Sequence, residues 1–152
     1  MLCAGTIILA FCMFLQVDGI PNFGDDIFTE KEINKLKKER DLNDRIKIYT
    51  NASKRIQKRL HRAASKNEFQ AVPSDLKLWM ELLTKSLEDI ETNLKPGKKS
   101  KNLIKYEIQV RKSLADMEDD RIRAPFEQQD LFASSLKQAE RIRQKFVELI
   151  FP

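Results

Sequence analysis

Hydrophobic residues recur at intervals of three or four along most of the chain, which is the spacing that places them on one face of a helix. No segment alternates apolar and polar residues as a half-buried strand does. Four long amphipathic segments joined by short connections predict an all-α, up-down four-helix bundle with Trp79 in its core. The predicted core stripes are Ile46, Tyr49, Ile56, Leu60 and Ala63; Leu76, Trp79, Leu83, Leu87, Ile90 and Leu94; Leu103, Ile104, Ile108, Leu114, Met117 and Ile122; and Phe132, Leu136, Ala139, Ile142, Phe146 and Leu149.

A capping box precedes the first of these stripes. The Thr29 hydroxyl can accept a hydrogen bond from the amide of Glu32, and the Glu32 side chain can reach back. This predicts a short extra helix that runs to about Arg40. The sequence Asp-Leu-Asn-Asp that follows contains short polar side chains, which compete with a helix for backbone hydrogen bonds. We therefore favour a break with a new cap at Asp41 or Asn43, over one continuous long helix.

Further stop and start signals separate the four long segments. The first should end near Lys66, and residues 72–75, Val-Pro-Ser-Asp, are expected to form a loop that leads into the next helix. Pro and Gly at residues 96–97 should end that helix, because proline lacks the amide that the ladder needs. Ser100 is a candidate cap for the third long helix, and residues 124–125, Ala-Pro, should end it.

The N-terminal segment has the pattern of a secretory signal peptide. Residues 1–15 carry no charged side chain, and their apolar run is too short for a helix that spans a membrane, which needs about 20 residues. A small residue, Gly19, supplies a cleavage site. We expect residues 1–19 to be a signal peptide, 20–28 an extended lead-in and 29–152 the helical domain. A buried N-terminal helix and an uncleaved anchor are the alternatives.

Composition agrees with a small helical domain that is exported. Only 4 Gly and 5 Pro occur among 152 residues, which argues against a sandwich, a barrel or collagen. Cleavage after residue 19 removes both Cys, so the mature chain has no disulfide and no thiolate ligand. The 28 Lys and Arg then stand against 22 of the 23 Asp and Glu, a formal charge of +6.

Two short blocks, residues 28–36 and 45–49, carry a resemblance to known proteins. Phe-Thr-Glu-Lys-Glu-Ile-Asn-Lys-Leu followed by Arg-Ile-Lys-Ile-Tyr resembles the start of an uncharacterised family of exported helical proteins from bacteria, notably acidobacteria. Members often carry a proline between the two blocks, where this chain has Leu42 and Asn43. The resemblance implies an exported helical protein and no particular activity.

The sequence contains few of the residues that catalysis or cofactor binding requires. His61 is the single histidine, whereas a di-iron bundle needs two Glu-x-x-His pairs. Phosphate-binding glycine loops and the Gly-x-Ser-x-Gly elbow are absent. A haem held by His61 with Met80 or Met117 is conceivable, but methionine in such stripes is usually core filler. We expect no cofactor, no metal and no enzymatic activity.

Clustered acidic residues are the remaining candidate for chemistry. They occur as Glu88, Asp89 and Glu91, and again within residues 116–120, Asp-Met-Glu-Asp-Asp. We expect both groups to lie on solvated helix faces, with a weak divalent-cation site as the alternative.

Basic residues are concentrated on the first long helix. Eight Lys and Arg and no acid occur between Arg45 and Asn67. At about 100° per residue, six of them fall opposite the core stripe, so we expect the fold not to depend on them. This basic face consists of Lys54, Arg55, Lys58, Arg59, Arg62 and Lys66. A second basic cluster consists of Lys95, Lys98, Lys99, Lys101 and Lys105.

The basic face supports two interpretations. It is either an ordinary solvated face or an anion-binding surface. Its candidate partners are anionic lipid, a cell-envelope polyanion or an acidic protein; nucleic acid is disfavoured, because the face lacks aromatic residues for base stacking. The preferred hypothesis is a non-enzymatic exported helical bundle with a scaffold or interaction role. The alternative is a ligand-binding or enzymatic bundle with an unrecognised site in its core.

Overall fold

The computed structural model describes residues 27–152, and the expected signal peptide, 1–19, lies outside this range. Within the described range the chain forms five α-helices and no strand, which confirms the all-α prediction. The helices are α1 (Glu30–Lys38), α2 (Leu42–Ser65), α3 (Val72–Asn93), α4 (Lys101–Arg123) and α5 (Phe126–Ile150), with a 3₁₀ turn at Phe69–Ala71 before α3.

The four long helices form a bundle in which chain neighbours are not always spatial neighbours. Helix α2 packs against α3 and α4, and α5 packs against the same two helices, so α3 and α4 lie diagonally across the bundle. Helices α2 and α4 are therefore adjacent, and two polar contacts between them show that they run parallel. The Asn102 amide donates to the Asn43 carbonyl oxygen at one end, and Gln57 donates to Asp116 further along. The connection between α3 and α4 crosses the end of the bundle.

Aromatic side chains fill the centre of the bundle. The predicted burial of Trp79 is confirmed, since its side chain is fully buried and its indole N–H donates to Ser53 Oγ at 2.9 Å. The rings of Tyr106 and Phe146 lie 5.2 Å apart, and the Tyr106 hydroxyl is 3.0 Å from Ser86 Oγ. Each buried polar atom of these side chains thus has a partner, as burial requires.

Local sequence signals set most of the helix ends. Both hydrogen bonds of the Thr29 capping box are present, and α1 ends at Lys38. The predicted break follows, and of the two candidate caps it is Asp41 that accepts from the Asp44 amide. Ser100 caps α4 through the Leu103 amide, as predicted.

The expected loop at residues 72–75 is wrong, because these residues form the first turn of α3. Proline is tolerated in this turn, where its missing N–H would have had no partner within the helix. Val72 is fully buried, and burial of this side chain holds the segment against the bundle.

The last two residues of the expected lead-in belong to the core. Ile27 and Phe28 are buried at 0% and 3% exposure, and the Phe28 ring lies 6.2 Å from that of Tyr49. The packed unit therefore includes residue 27, two positions before the expected start of the domain. The rest of the lead-in, residues 20–26, lies outside the described range.

Substitution of Trp79 tests the packing of the core. We expect Trp79→Ala to lower the free energy of unfolding by about 3–5 kcal/mol, the range for truncating a large buried aromatic side chain. Trp79→Phe should cost about 1–3 kcal/mol, because it leaves the Ser53 hydroxyl without its donor. Denaturant unfolding followed by circular dichroism measures both values. A loss below about 1 kcal/mol for the alanine variant would contradict this packing.

Candidate functional site

The six residues of the predicted basic face divide into two sets in the structure. Lys54, Lys58, Arg62 and Lys66 follow one another at intervals of four residues and form one row along the outer side of α2, with Lys66 as the capping residue directly after the helix. We call these four residues the basic row. A helix rises 1.5 Å per residue, so neighbouring members are about 6 Å apart along the axis and the row is about 18 Å long.

The members of the basic row are exposed and have no acidic partner among residues 27–152. Within the described part of the chain, none of their side chains forms an ion pair. Elsewhere on the same helix, Lys47 pairs with Asp44 at 2.6 Å. Like charges four residues apart on a helix repel by about 0.2–0.5 kcal/mol per pair. The repulsion within the row is offset only by the favourable position of Arg62 and Lys66 at the negative end of α2, and the positive charge of the row is available to a partner.

Arg55 belongs to the second set, and it corrects the expectation that the fold is independent of the basic face. Its guanidinium donates to both carboxylate oxygens of Glu32 at 2.9 and 2.8 Å, and also to the carbonyl oxygen of Ile27 at 2.8 Å. Arg55 thus ties α2 to α1. Burial alone would raise the pKa of Glu32, but the hydrogen bonds and charge of Arg55, with Thr29, lower it overall. The pair is therefore intact at neutral pH.

Arg59 and Arg45 also form ties between helices. Arg59 Nη2 donates to Asp75 Oδ1 at 2.6 Å, which links α2 to the first turn of α3. Arg45 is buried and pairs with Asp89 of α3, which also accepts from the Tyr49 hydroxyl at 2.5 Å. The helical angles alone assigned Arg55 and Arg59 to the solvent side, because they ignore how far a long side chain reaches to a neighbouring helix.

A groove runs beside the basic row. Its lining contains three members of the row on one side and Asn51, Arg55 and Arg59 on the other. The two sets are successive rows of residues spaced by four, and the groove is the space between such ridges on a helix. The groove has a volume of about 480 Å³ and is open to solvent.

The expectation that both acidic groups are solvated is wrong for one residue in each. Asp89 is 4% exposed and Asp120 is 1% exposed. Burial raises the pKa of Asp89, although Tyr49 and Arg45 partly oppose this effect. Both carboxylates face α2, whose basic side chains satisfy them. The predicted core stripes did not indicate this burial, because at about 100° per residue both acids fall more than about 90° from the centre of the stripe on their own helix.

His61 occupies the boundary between α2 and α4. Its Nδ1 atom lies 3.0 Å from the buried Asp120 carboxylate, and its side chain is 53% exposed. The carboxylate orients the imidazole and leaves Nε2 for other contacts. No group of three or more His, Cys, Asp or Glu residues in the described range is placed to hold a metal ion. Met80 and Met117, the other candidate haem ligands, are buried among the core residues.

The second basic cluster lies at the end of the bundle where α2 and α4 begin. Lys95, Lys98 and Lys99 border two surface depressions, one of about 260 Å³ lined by Leu94, Pro96, Leu149 and Ile150 and one of about 330 Å³ reached by Arg40. Arg40 is distant from this cluster in the sequence, and only the packing of the α1–α2 corner against the α3–α4 connection brings them together.

Comparison with known protein families, curated proteins and solved structures found no match for this chain. The resemblance to exported bacterial proteins therefore stays a prediction. None of the helices in residues 27–152 is both long and apolar enough to cross a membrane.

The tie between Arg55 and Glu32 predicts which basic residue matters for the fold. A nine-residue helix such as α1 is not stable alone in water. We expect Arg55→Gln to accelerate hydrogen exchange in the last turn of α1 and to leave exchange in α3 unchanged. Lys54→Gln, at the adjacent exposed position, is the control and should change neither. Equal exchange in α1 of the two variants would show that the tie is unimportant.

Proposed function

We propose that this protein is an exported, non-enzymatic helical bundle with an interaction role, and that the basic row of α2 contacts an anionic partner. The observation that carries the proposal is the contrast along α2. Basic side chains that face a neighbouring helix meet a carboxylate there, whereas the four outward ones meet none within residues 27–152. The partner classes that this chemistry suits are anionic lipid, a cell-envelope polyanion and an acidic protein.

The strength of such an interaction follows from the number of free charges. Each basic group held close to an anionic surface contributes about 1 kcal/mol. Four groups together then supply about 4 kcal/mol, which corresponds to a Kd on the order of 1 mM. One molecule would bind weakly, reversibly and with strong salt dependence, because exposed charges are screened within about 10 Å at 0.1 M salt. This behaviour suits attachment to a repetitive partner that offers many sites.

The packing of the interior favours this proposal over a ligand-binding or enzymatic bundle. The centre is occupied by large buried side chains, among them Trp79, Tyr49, Tyr106, Phe132 and Phe146. Two buried serines next to them pair with aromatic side chains of other helices, Ser53 with Trp79 and Ser86 with Tyr106. The depressions described above all lie at the surface.

Export is the part of the proposal that rests on the N-terminal segment. The uncharged apolar run before Gly19 favours recognition by a signal peptidase that accepts small residues. We expect N-terminal sequencing of the protein recovered from its native host to begin at Ile20. A soluble cytoplasmic protein that retains Met1 would contradict export and would leave the binding proposal to be judged by the next experiment.

Replacement of the basic row tests the interaction. In the row variant, Lys54, Lys58, Arg62 and Lys66 are changed to Gln, and Arg55 and Arg59 are kept because they support the fold. The matched control removes four exposed charges that have no ion pair in the described range, namely Lys77, Lys112, Lys137 and Arg141.

We expect the parent and the control variant to bind at least one of three probes at low salt: anionic phospholipid vesicles, polyphosphate or polyglutamate. The row variant should lose most of this binding while its melting temperature changes little, since the relief of repulsion along the row is opposed by the loss of two cations at the C-terminal end of α2. Cosedimentation and fluorescence anisotropy measure binding. Equal binding by the two variants, or no binding by the parent, would contradict the proposal.

A further inference from the structure

We propose that the partner of the basic row is a flexible linear polyanion that lies lengthwise in the groove of α2, rather than a membrane surface. This inference rests on the proposed function and adds the shape of the partner to it. Three features of α2 carry it: the charge is arranged in a line, the line borders a groove, and no exposed apolar side chain accompanies it.

The free positive charge is confined to a line because the basic side chains on one flank of the row are paired and acidic side chains of α4 lie on the other. On the flank towards α1 and α3, Arg55 is paired with Glu32 and Arg59 with Asp75. On the flank towards α4, His61 contacts Asp120 and Gln57 donates to Asp116. A planar membrane would be matched best by a broad basic patch. A strip of four charges about 6 Å apart instead matches a polymer that carries an anionic group on each repeat.

The groove gives such a polymer two walls. Lys54, Lys58 and Arg62 line one wall, and Arg55 and Arg59 line the other. Arg59 uses Nε and Nη2 on Asp75 and keeps Nη1 for a further acceptor. An anionic group in the groove would thus be contacted by the flexible row on one side and by a fixed guanidinium on the other.

The positions of the exposed apolar residues argue against membrane binding by this face of α2. The exposed large hydrophobic residues within the described range are Ile122, Phe126, Leu131 and Phe151, which lie on or beside α4 and α5. The predicted core position of Ile122 is therefore wrong, since this side chain is 66% exposed. None is on α2, so a bilayer that touched the row would gain only electrostatic contacts. The groove also contains no aromatic residue, so bases would gain no stacking contact there. Recognition would depend on the spacing of charge.

Binding of polyphosphate chains of increasing length, followed by fluorescence anisotropy, tests this proposal. Affinity should rise with chain length until a chain spans the row and then level off, whereas orthophosphate should bind too weakly to measure. For single-stranded polyanions the logarithm of the binding constant falls with the logarithm of salt concentration by about 0.7 per neutralised charge. Four contacts therefore predict a slope of about −3.

A variant with unchanged net charge separates the row from total charge. Lys58→Gln combined with Gln138→Lys interrupts the row and places the charge at an exposed position of α5. We expect this variant to bind long polyphosphate several-fold more weakly, with a salt slope reduced by about 0.7. Lys112→Gln, which removes an exposed charge from α4, should keep the slope.

The outcomes distinguish failure of the linear-partner proposal from failure of the proposed function. Row-dependent binding of anionic vesicles, with polyphosphate binding that is absent or independent of length, overturns the linear partner and leaves the proposed function standing. Unchanged polyphosphate binding by the charge-relocated variant also overturns the linear partner. Failure of the parent to bind any anionic probe overturns both proposals. Length-dependent binding that the relocated variant weakens supports both.

Discussion

The pairing of α2 with buried or partly buried carboxylates on its neighbours is the interaction on which the structure depends. Asp89 and Asp75 of α3, Asp120 of α4 and Glu32 of α1 each meet a basic group of α2. A buried carboxylate without a partner costs several kcal/mol, so each acid needs its counterpart in this arrangement. The same pairs determine which basic side chains stay free, and the basic row is what remains.

The parallel contact between α2 and α4 is the second constraint. Three polar contacts between these helices join residues 59 positions apart, at Asn43, Gln57 and His61. A constant separation means that the two helices keep one register along their whole contact. The N-termini of α2 and α4, which are the positive ends of their helix dipoles, lie together at one end of the bundle. The C-termini of α3 and α5, the negative ends, lie at the same end and offset this positive charge. The connection between α3 and α4, residues 94–100, has to cross the end of the bundle because these helices are diagonal.

Most of the helices can be located from the sequence because their start and stop signals are local. The Thr29 capping box, the Ser100 cap and the Pro-Gly stop each act within one helical turn, and helical periodicity repeats within a single segment. The loop expected at residues 72–75 failed for a non-local reason. Pro73 permits a helix start as readily as a turn, and burial of Val72 against the bundle selects the helix.

The sequence by itself determined the helical class, the break before α2, the burial of Trp79 and the concentration of basic residues on one helix, since each depends on neighbours within a few positions. Only the tertiary structure decided which of those basic residues are free. Arg55 and Arg59 directly follow Lys54 and Lys58 in the sequence but line the opposite wall of the groove. Their partners, Glu32 and Asp75, lie 23 and 16 residues away in the sequence. Which residue pairs with a side chain on another helix depends on how the helices are arranged in the bundle. Local sequence patterns do not specify that arrangement.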